Sequence, residues 1–362
     1  MQITRRHLIQ TASIALTAPY LSRAAVAQGA GRFVVVGRDF CGATAARFLA
    51  AAGHAVTLVE RHAQYVACPF RNTVLAGTNT IDAMTFGYDG LVSAGVTVLP
   101  GEAVGADSGQ LTLPSSDVLD YDRLVLSPGI DMRFEPLRQQ RAAMEDGGTV
   151  AIVVPENLFR CPPGTYERAS LLAHYLTQSK PRSKILILDA KDALSKRPLF
   201  EWAWAALYPG MIEWVPMSMG GRVISVDSGA MTVSTDFDTI SAAVANVIPP
   251  QMAGSIAVAA SVADATGWCP VHPDTFESTL IPGIHALGDA ALAGAMPKSA
   301  FAANAQGKVV AAASDALLRG NEPQVPILIN TCYSLAAPRL CLQRRRFLSA
   351  RRAYTGRSRR RA

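Results

Sequence analysis

The 362-residue sequence has no C-x-x-C pair; its six cysteines, Cys41, Cys68, Cys161, Cys269, Cys332 and Cys341, lie far apart. That spacing argues against a zinc ribbon and against a haem attachment site, so no metal centre is expected. Beyond the first 27 residues there is no apolar run of the ~20 residues needed to cross a bilayer. No transmembrane anchor is therefore expected once that leader is removed. The chain also lacks a basic, aromatic-interleaved face. Its formal charge of +6 comes from its two ends, with ten arginines and no acid from Arg339 onward, and Arg5, Arg6 and Arg23 near the start. Without these thirteen arginines the body carries about −7, a poor surface for nucleic acid.

With 49% apolar and 17% charged residues, the chain has the length and composition for two or three packed domains. The segment "TRRHLIQTASIALTAPYLSRAAVA" combines the Arg5-Arg6 pair, an apolar stretch and a small-residue site at Ala25-Val26-Ala27. It reads as a twin-arginine export signal over residues 1–27, cleaved after Ala27, which implies the periplasm. An ordinary secretory signal or an uncleaved anchor is the alternative.

"FVVVGRDFCGATAARF", residues 33–48, reads as a buried strand turning into a small-residue helix, and "AVTLVE" follows as a second strand ending on Glu60. This is a βαβ unit with Gly37 at the tight turn, Gly42 at the close helix–strand contact and Glu60 placed for ribose hydroxyls. Asp39 stands where that fingerprint wants its second glycine. A carboxylate there would sit between backbone and pyrophosphate, with a like-charge cost of about 4 kcal/mol per phosphate charge before relaxation or pairing with Arg38. Two later strings extend the pattern: "DYDRLVLSPGI" closes a strand on Ser127-Pro128-Gly129, and "GIHALGDAALAG" closes another on Gly288-Asp289. Their order and spacing match the signature of two-dinucleotide-domain flavoproteins, with FAD ahead of NAD as the cofactor. A second βαβ pattern begins near residue 147, but "PENLFRCPPGTYE" replaces its glycine fingerprint with prolines, Cys161 and Glu167. Prolines remove backbone donors, so a nicotinamide cofactor is not expected there. "MPKSAFAANAQGKVVAAASDALLRG" reads as a long helix starting near Lys298-Ser299, a start suited to negative charge on a reduced flavin. A plain core helix explains the same string.

Several rare-residue strings, "YVACPFRNTVLAG", "GYDGL", "FRCPPGTYERAS", "TGWCPVHPDTFES", "AMPKSAFAANAQGKV" and "NTCYSLAAP", carry a resemblance. From about residue 31 to residue 338 the chain resembles the flavoprotein subunit of flavocytochrome c sulfide dehydrogenase, a relative of sulfide:quinone oxidoreductases. The resemblance implies an α/β, glutathione-reductase-like fold with two Rossmann-type domains. The discontinuous FAD-binding domain spans 31–135 and 255–325, and an NAD(P)-binding-like domain without a nucleotide fingerprint spans 136–254. Residues 326–338 begin a C-terminal region that covers the flavin. The resemblance further implies FAD bound covalently through Cys68, a redox disulfide of Cys161 and Cys332, sulfide as substrate and a c-type cytochrome subunit as partner. The cofactor-binding residues expected are Gly37, Gly42, Glu60, Cys68, Gly129, Gly288, Asp289 and Lys298; Cys161, Cys332 and Glu167 are the expected catalytic residues. A disulfide is a natural electrophile for sulfide, and a thiolate is the side chain able to form a flavin thioether. Glu167 could exchange a proton during the reaction, or serve as a solvated carboxylate in a first helical turn. Cys41 and Cys269 read as packing residues.

The sequence departs from that pattern at Asp39 and again after "NTCYSLAAP". Residues 339–362 lose the apolar pattern and read as an atypical basic tail, leaving the C-terminal interface region truncated or altered. A shifted reading frame and a basic tail for an anionic surface both account for the composition. The alternatives to sulfide oxidation coupled to a cytochrome are a sulfide:quinone oxidoreductase and a degenerate, non-catalytic flavoprotein.

Overall fold

A computed structural model describes residues 30–133 and 144–348. The expected export signal and the last fourteen residues of the basic tail lie outside the described residues. In chain order the elements that position the site are β1 (Arg32–Val36), α1 (Gly42–Ala51), β2 (Ala55–Glu60), α2 (Arg71–Leu75), β3 (Thr97–Pro100) and β4 (Arg123–Leu126). There follow β5 (Thr149–Val154), α3 (Gly164–Ser179), β6 (Lys184–Asp189), α4 (Arg197–Leu207), β7 (Ile212–Val215) and β8 (Val244–Val247). The chain then runs through β9 (Ile284–Ala286), α5 (Ala300–Leu318), β10 (Leu328–Ala337) and β11 (Leu340–Leu348).

Two parallel sheets organise these elements. The first has the order β9-β4-β1-β2-β3 and the second β7-β6-β5-β8. Their strands are continuous apolar runs such as "RFVVV", "TVAIVV" and "KILILD". That pattern suits parallel strands covered on both faces, where alternation would bury polar side chains. β9 pairs with β4 after the chain has built the whole second sheet. One core therefore joins Phe33, Leu124, Ile284, Val310 and Leu328, while a second holds Ile152, Tyr166, Phe200, Ala336 and Leu342. Each large side chain so buried contributes about 1.5–3 kcal/mol.

In both sheets the strand order reverses beside the first strand of the unit, next to β1 in one and next to β5 in the other. Open parallel sheets form their ligand crevices at such points, beyond the carboxyl ends of the strands. The turn holding Asp39 follows β1, and the loop holding Cys161 follows β5. α1 contributes the small buried residues Gly42, Ala45 and Ala46, and α5 lies so close that a Cβ on Gly307 would come within 2.5 Å of the Cys41 carbonyl oxygen.

The boundary read after residue 338 falls at the turn of a β-hairpin. β11 pairs antiparallel with β10 along almost its whole length, Cys332 opposite Arg344 and Ser334 opposite Leu342. Leu342 is buried in the second core and Leu340 packs against it. Leu340 and Leu342 alternate with the outward-facing Cys341 and Gln343, so a strand forms in spite of the arginines. Two groups clamp this hairpin to α4: the buried Lys196 ammonium donates to the carbonyls of Cys332 (2.9 Å) and Leu342 (3.0 Å), and the Tyr208 hydroxyl donates to Ala336 O (2.9 Å).

Candidate functional site

Gly37 takes a left-handed φ of +87°, and a Cβ there would lie 2.1 Å from Ser127 O. At Gly42 a Cβ would lie 2.0 Å from Gly37 O. Gly37 is demanded by the contact of the turn with the end of β4, and Gly42 by the contact of α1 with the Gly37 carbonyl, whatever occupies the crevice. Asp39 does not point at open space. Its Oδ1 accepts from the Cys41 amide (3.1 Å), the Gly42 amide (3.3 Å), the Cys41 thiol (2.8 Å) and the Ser127 hydroxyl. α1 has no side-chain cap at Cys41, so the Asp39 carboxylate satisfies its first free amides. Arg38 is not its partner: the guanidinium reaches Glu60 (3.6 Å), the His62 carbonyl (2.7 Å) and the Tyr88 hydroxyl. Glu60 also accepts from the His62 amide at 3.0 Å.

The Gly288-Asp289 turn closes on the same spot. A Cβ on Gly288, which has φ +73°, would meet Cys41 Sγ at 2.4 Å and Asp39 Oδ2 at 3.5 Å. Burial pushes the Asp289 carboxyl up to about 6, and the neighbouring Asp39 charge adds to the shift against Arg160 and Lys298. Lys298 donates to the carbonyls of Asp289 and Ala291 and lies 3.9 Å from the Trp268 ring centroid. Burial lowers its ammonium to about 8. Ser299 caps α5 by accepting from Ala302 N at 3.2 Å. Gly129 has φ +66° and open space beside its Cα.

The donors at the start of α1 suit a dinucleotide phosphate in kind, because two main-chain amides and a hydroxyl already converge on one anionic oxygen. FAD would be held there by Gly37, Gly42 and Ser127, with Glu60 at the ribose end and Asp289 at the other. Asp39 would have to give up its place.

The cysteines form a second group. Cys161 lies in the loop after β5 with φ +55°; its amide donates to Lys298 O at 2.8 Å, tying the loop to the start of α5. Gly164 leaves room for the thiol, since a Cβ there would be 2.8 Å from Cys161 Sγ. Cys161, Cys68 and Cys332 are all free thiols, so the expected disulfide is not formed in this structure. Their segments nevertheless meet, since α2, which follows Cys68, and β10, which carries Cys332, both pack on α3, which follows Cys161. Burial raises the Cys161 thiol well above its ordinary range, and the charges of Cys68, Glu167, Cys332 and Asp289 add to that shift. Cys41 is fully buried in the turn and Cys269 in the first core.

Glu167 is buried in the first turn of α3 rather than solvated. One oxygen accepts from the Leu335 amide of β10 (2.9 Å), the other from Asn72 Nδ2 of α2 (3.0 Å). Burial raises its pKa against these two donors and the charges of Lys196 and Arg168. It thus joins the segments bearing Cys68, Cys161 and Cys332. Lys196 grips β10 beside it, donating to Ser334 Oγ at 2.9 Å. Arg168, its own pKa lowered by burial, reaches Asn246 of β8 (2.6 Å) and Asn72 (3.3 Å).

Ser127, Asn72, Gly164, Arg168 and Lys196 escaped the sequence reading as site residues. Asn72 and Gly164 lie inside strings that drew notice for their cysteines; Lys196 carries no local signal. A separate cavity of about 640 Å³ opens between α4 and β7, lined by Arg197, Glu201, Trp204, Glu213 and Trp214 among others, and contains none of the expected site residues. Among the described residues no group of His, Cys, Asp and Glu is arranged to hold a metal ion, and no helix is long and apolar enough to cross a membrane.

Comparison with known proteins agrees with the resemblance. Residues 135–249 match the central-domain model of the flavoprotein chain of sulfide dehydrogenase (flavocytochrome c), and residues 31–151 match that of pyridine nucleotide-disulphide oxidoreductases. Among solved structures, the sulfide:quinone oxidoreductase of Aquifex aeolicus superposes with a TM-score of 0.70 at 15% identity, covering 87% of each chain. Thioredoxin reductase of Lactococcus lactis gives 0.54 at 14% identity, over 80% of this chain and 99% of that one. The flavoprotein disulfide reductase RclA of Escherichia coli gives 0.58 at 15% identity, over 83% and 74%. The chain thus has the fold of these oxidoreductases, and its central part is similar to the flavoprotein chain of sulfide dehydrogenase (flavocytochrome c).

Proposed function

We propose that the chain oxidises sulfide at a Cys161–Cys332 disulfide, with FAD linked through Cys68, and delivers electrons to a c-type cytochrome in the periplasm. The observation that carries this reading is the bracket at the switch point of the second sheet, where Glu167, six residues after Cys161, bonds to the two other segments, those bearing Cys68 and Cys332. A nicotinamide site would need main-chain donors there; this loop offers thiols.

In the oxidised pair, HS⁻ attacks one sulfur; a persulfide forms on that cysteine and the other leaves as thiolate. Burial disfavours a thiolate at Cys161, so attack on the Cys161 sulfur, with the charge released onto Cys332, is the favoured direction. Lys196, bonded to the Cys332 carbonyl, places a positive charge beside that strand. Glu167 holds β10 against α3 and α2, which keeps Cys332 in reach of Cys161. When bound, FAD supplies the acceptor for the two electrons that leave as sulfur is released and the disulfide re-forms.

The test is mass spectrometry of non-reduced peptides from the purified oxidised protein, before and after sulfide. A Cys161–Cys332 cross-link that gives way to one added sulfur on the Cys161 peptide is expected, together with flavin on the Cys68 peptide. Free thiols at both positions in the oxidised protein would refute the mechanism. Reduction of a quinone but not of a c-type cytochrome would replace the acceptor.

A further inference from the structure

We propose that Asp39 is a resident occupant of the pyrophosphate cradle, an internal anion that a dinucleotide must displace in order to bind. The inference rests on reading the β1–α1 turn as a dinucleotide site. What carries it is the direction of the carboxylate. A carboxylate that merely obstructed the cradle would turn to solvent and leave the amides of α1 free. Here Oδ1 gathers the Cys41 and Gly42 amides at 3.1 and 3.3 Å and the Ser127 hydroxyl as well. Those are the groups a phosphate oxygen would use at a helix start. The arrangement is closed from the other side, where the Cα of Gly288 faces Asp39 Oδ2 and Cys41 Sγ.

The surrounding charges fit the same picture. Arg38, the adjacent cation, is spent on Glu60 and on the His62 carbonyl and does not hold Asp39. Arg160 and Lys298 act on the neighbouring Asp289, while Tyr65 and Cys41 feel the Asp39 charge. A displaced Asp39 would thus lose its donors and meet phosphate charge together. The residue acts in two opposed ways: it stabilises the protein without ligand, as a helix cap, and weakens the ligand complex.

That opposition supplies the test. ADP contains the pyrophosphate but no flavin ring, so it cannot be linked to Cys68. Its affinity is measured by calorimetry on the full chain stripped of flavin, for wild type, Asp39→Gly and Asp39→Asn, alongside the melting temperature of each unliganded protein. Asp39→Gly is expected to bind ADP about tenfold more tightly than wild type, because it removes both the competing carboxylate and its repulsion of the phosphate charge. Its unliganded form should melt below wild type. Asp39→Asn keeps an acceptor oxygen and loses the charge, so it should melt near wild type and bind with intermediate affinity. Equal ADP affinity in all three proteins would overturn the proposal while leaving the nucleotide site intact. Absence of ADP binding from all three, each folded by circular dichroism, would overturn the nucleotide site and the proposal with it.

Discussion

Replacing Glu167 tests whether the cysteine-bearing segments are held together as described. In Glu167→Ala the Leu335 amide loses its acceptor inside the protein, whereas Asn72 Nδ2 retains Gly164 O at 3.2 Å. One orphaned buried donor plus the space left by the side chain should cost about 2–3 kcal/mol. Glu167→Gln keeps an oxygen for Leu335 but turns an amide toward Asn72 Nδ2, a smaller loss of about 1 kcal/mol. The two variants also separate by pH. Burial raises the folded pKa of Glu167 above its ordinary 4.5, so the folded state binds more protons than the unfolded chain just above that value. Stability from this group is therefore present at acid pH and is lost as pH rises through the raised pKa. Glutamine does not titrate, so its deficit against wild type should shrink from acid to neutral pH. Urea midpoints across that range measure both effects, and equilibration of the Cys161–Cys332 pair in a glutathione buffer measures how well the strand is held. The bracket is refuted if Glu167→Ala unfolds at the wild-type midpoint and its cysteine pair oxidises as readily.

Asp289→Asn should stabilise the unliganded protein at neutral pH. Its carboxyl is raised from 3.8 to about 6, so the penalty for the buried charge is complete above about 6 and disappears toward 3.8, amounting to about 3 kcal/mol. A stabilisation that persists undiminished at pH 4 would show another cause. Gly42→Ala should cost about 1–3 kcal/mol by overpacking, because the new methyl meets the Gly37 carbonyl at 2.0 Å, a backbone atom with nowhere to yield. Gly53→Ala, where φ is +88° and nothing lies within 4 Å, should show only the left-handed strain of about 1–2 kcal/mol. Urea denaturation measures both costs, and an undisturbed Gly42→Ala would contradict the close packing of α1 on the Gly37 carbonyl.

Much of the fold was legible because parallel strands buried on both faces write themselves as unbroken apolar runs. "RFVVV", "AVTLVE", "KILILD" and the closing Gly288-Asp289 each announced a strand of the correct sheet. Asp39 was also visible as an anomaly, since a carboxylate in that turn conflicts with the fingerprint around it. Its orientation was not visible. Repulsion from a ligand and capping of α1 are both available to the same side chain, and the choice depends on Ser127, 88 positions away. The arginines after residue 338 concealed a strand for a related reason: composition outweighed the two leucines, whose partners lie in α3 and α4.

The sequence by itself determined the secondary structure of the sheets and the glycines of the first turn, properties carried by neighbours along the chain. Only the tertiary structure decided which groups meet. Glu167 gained a structural task because α2, α3 and β10 converge on it, and Lys196 became a clamp because a hairpin from residues 328–348 returns to α4. Such contacts depend on β9 rejoining a sheet begun far earlier in the chain and on the β10–β11 hairpin packing back on α3 and α4. Hydrogen bonding and desolvation act through space over a few ångströms, whatever the separation in sequence.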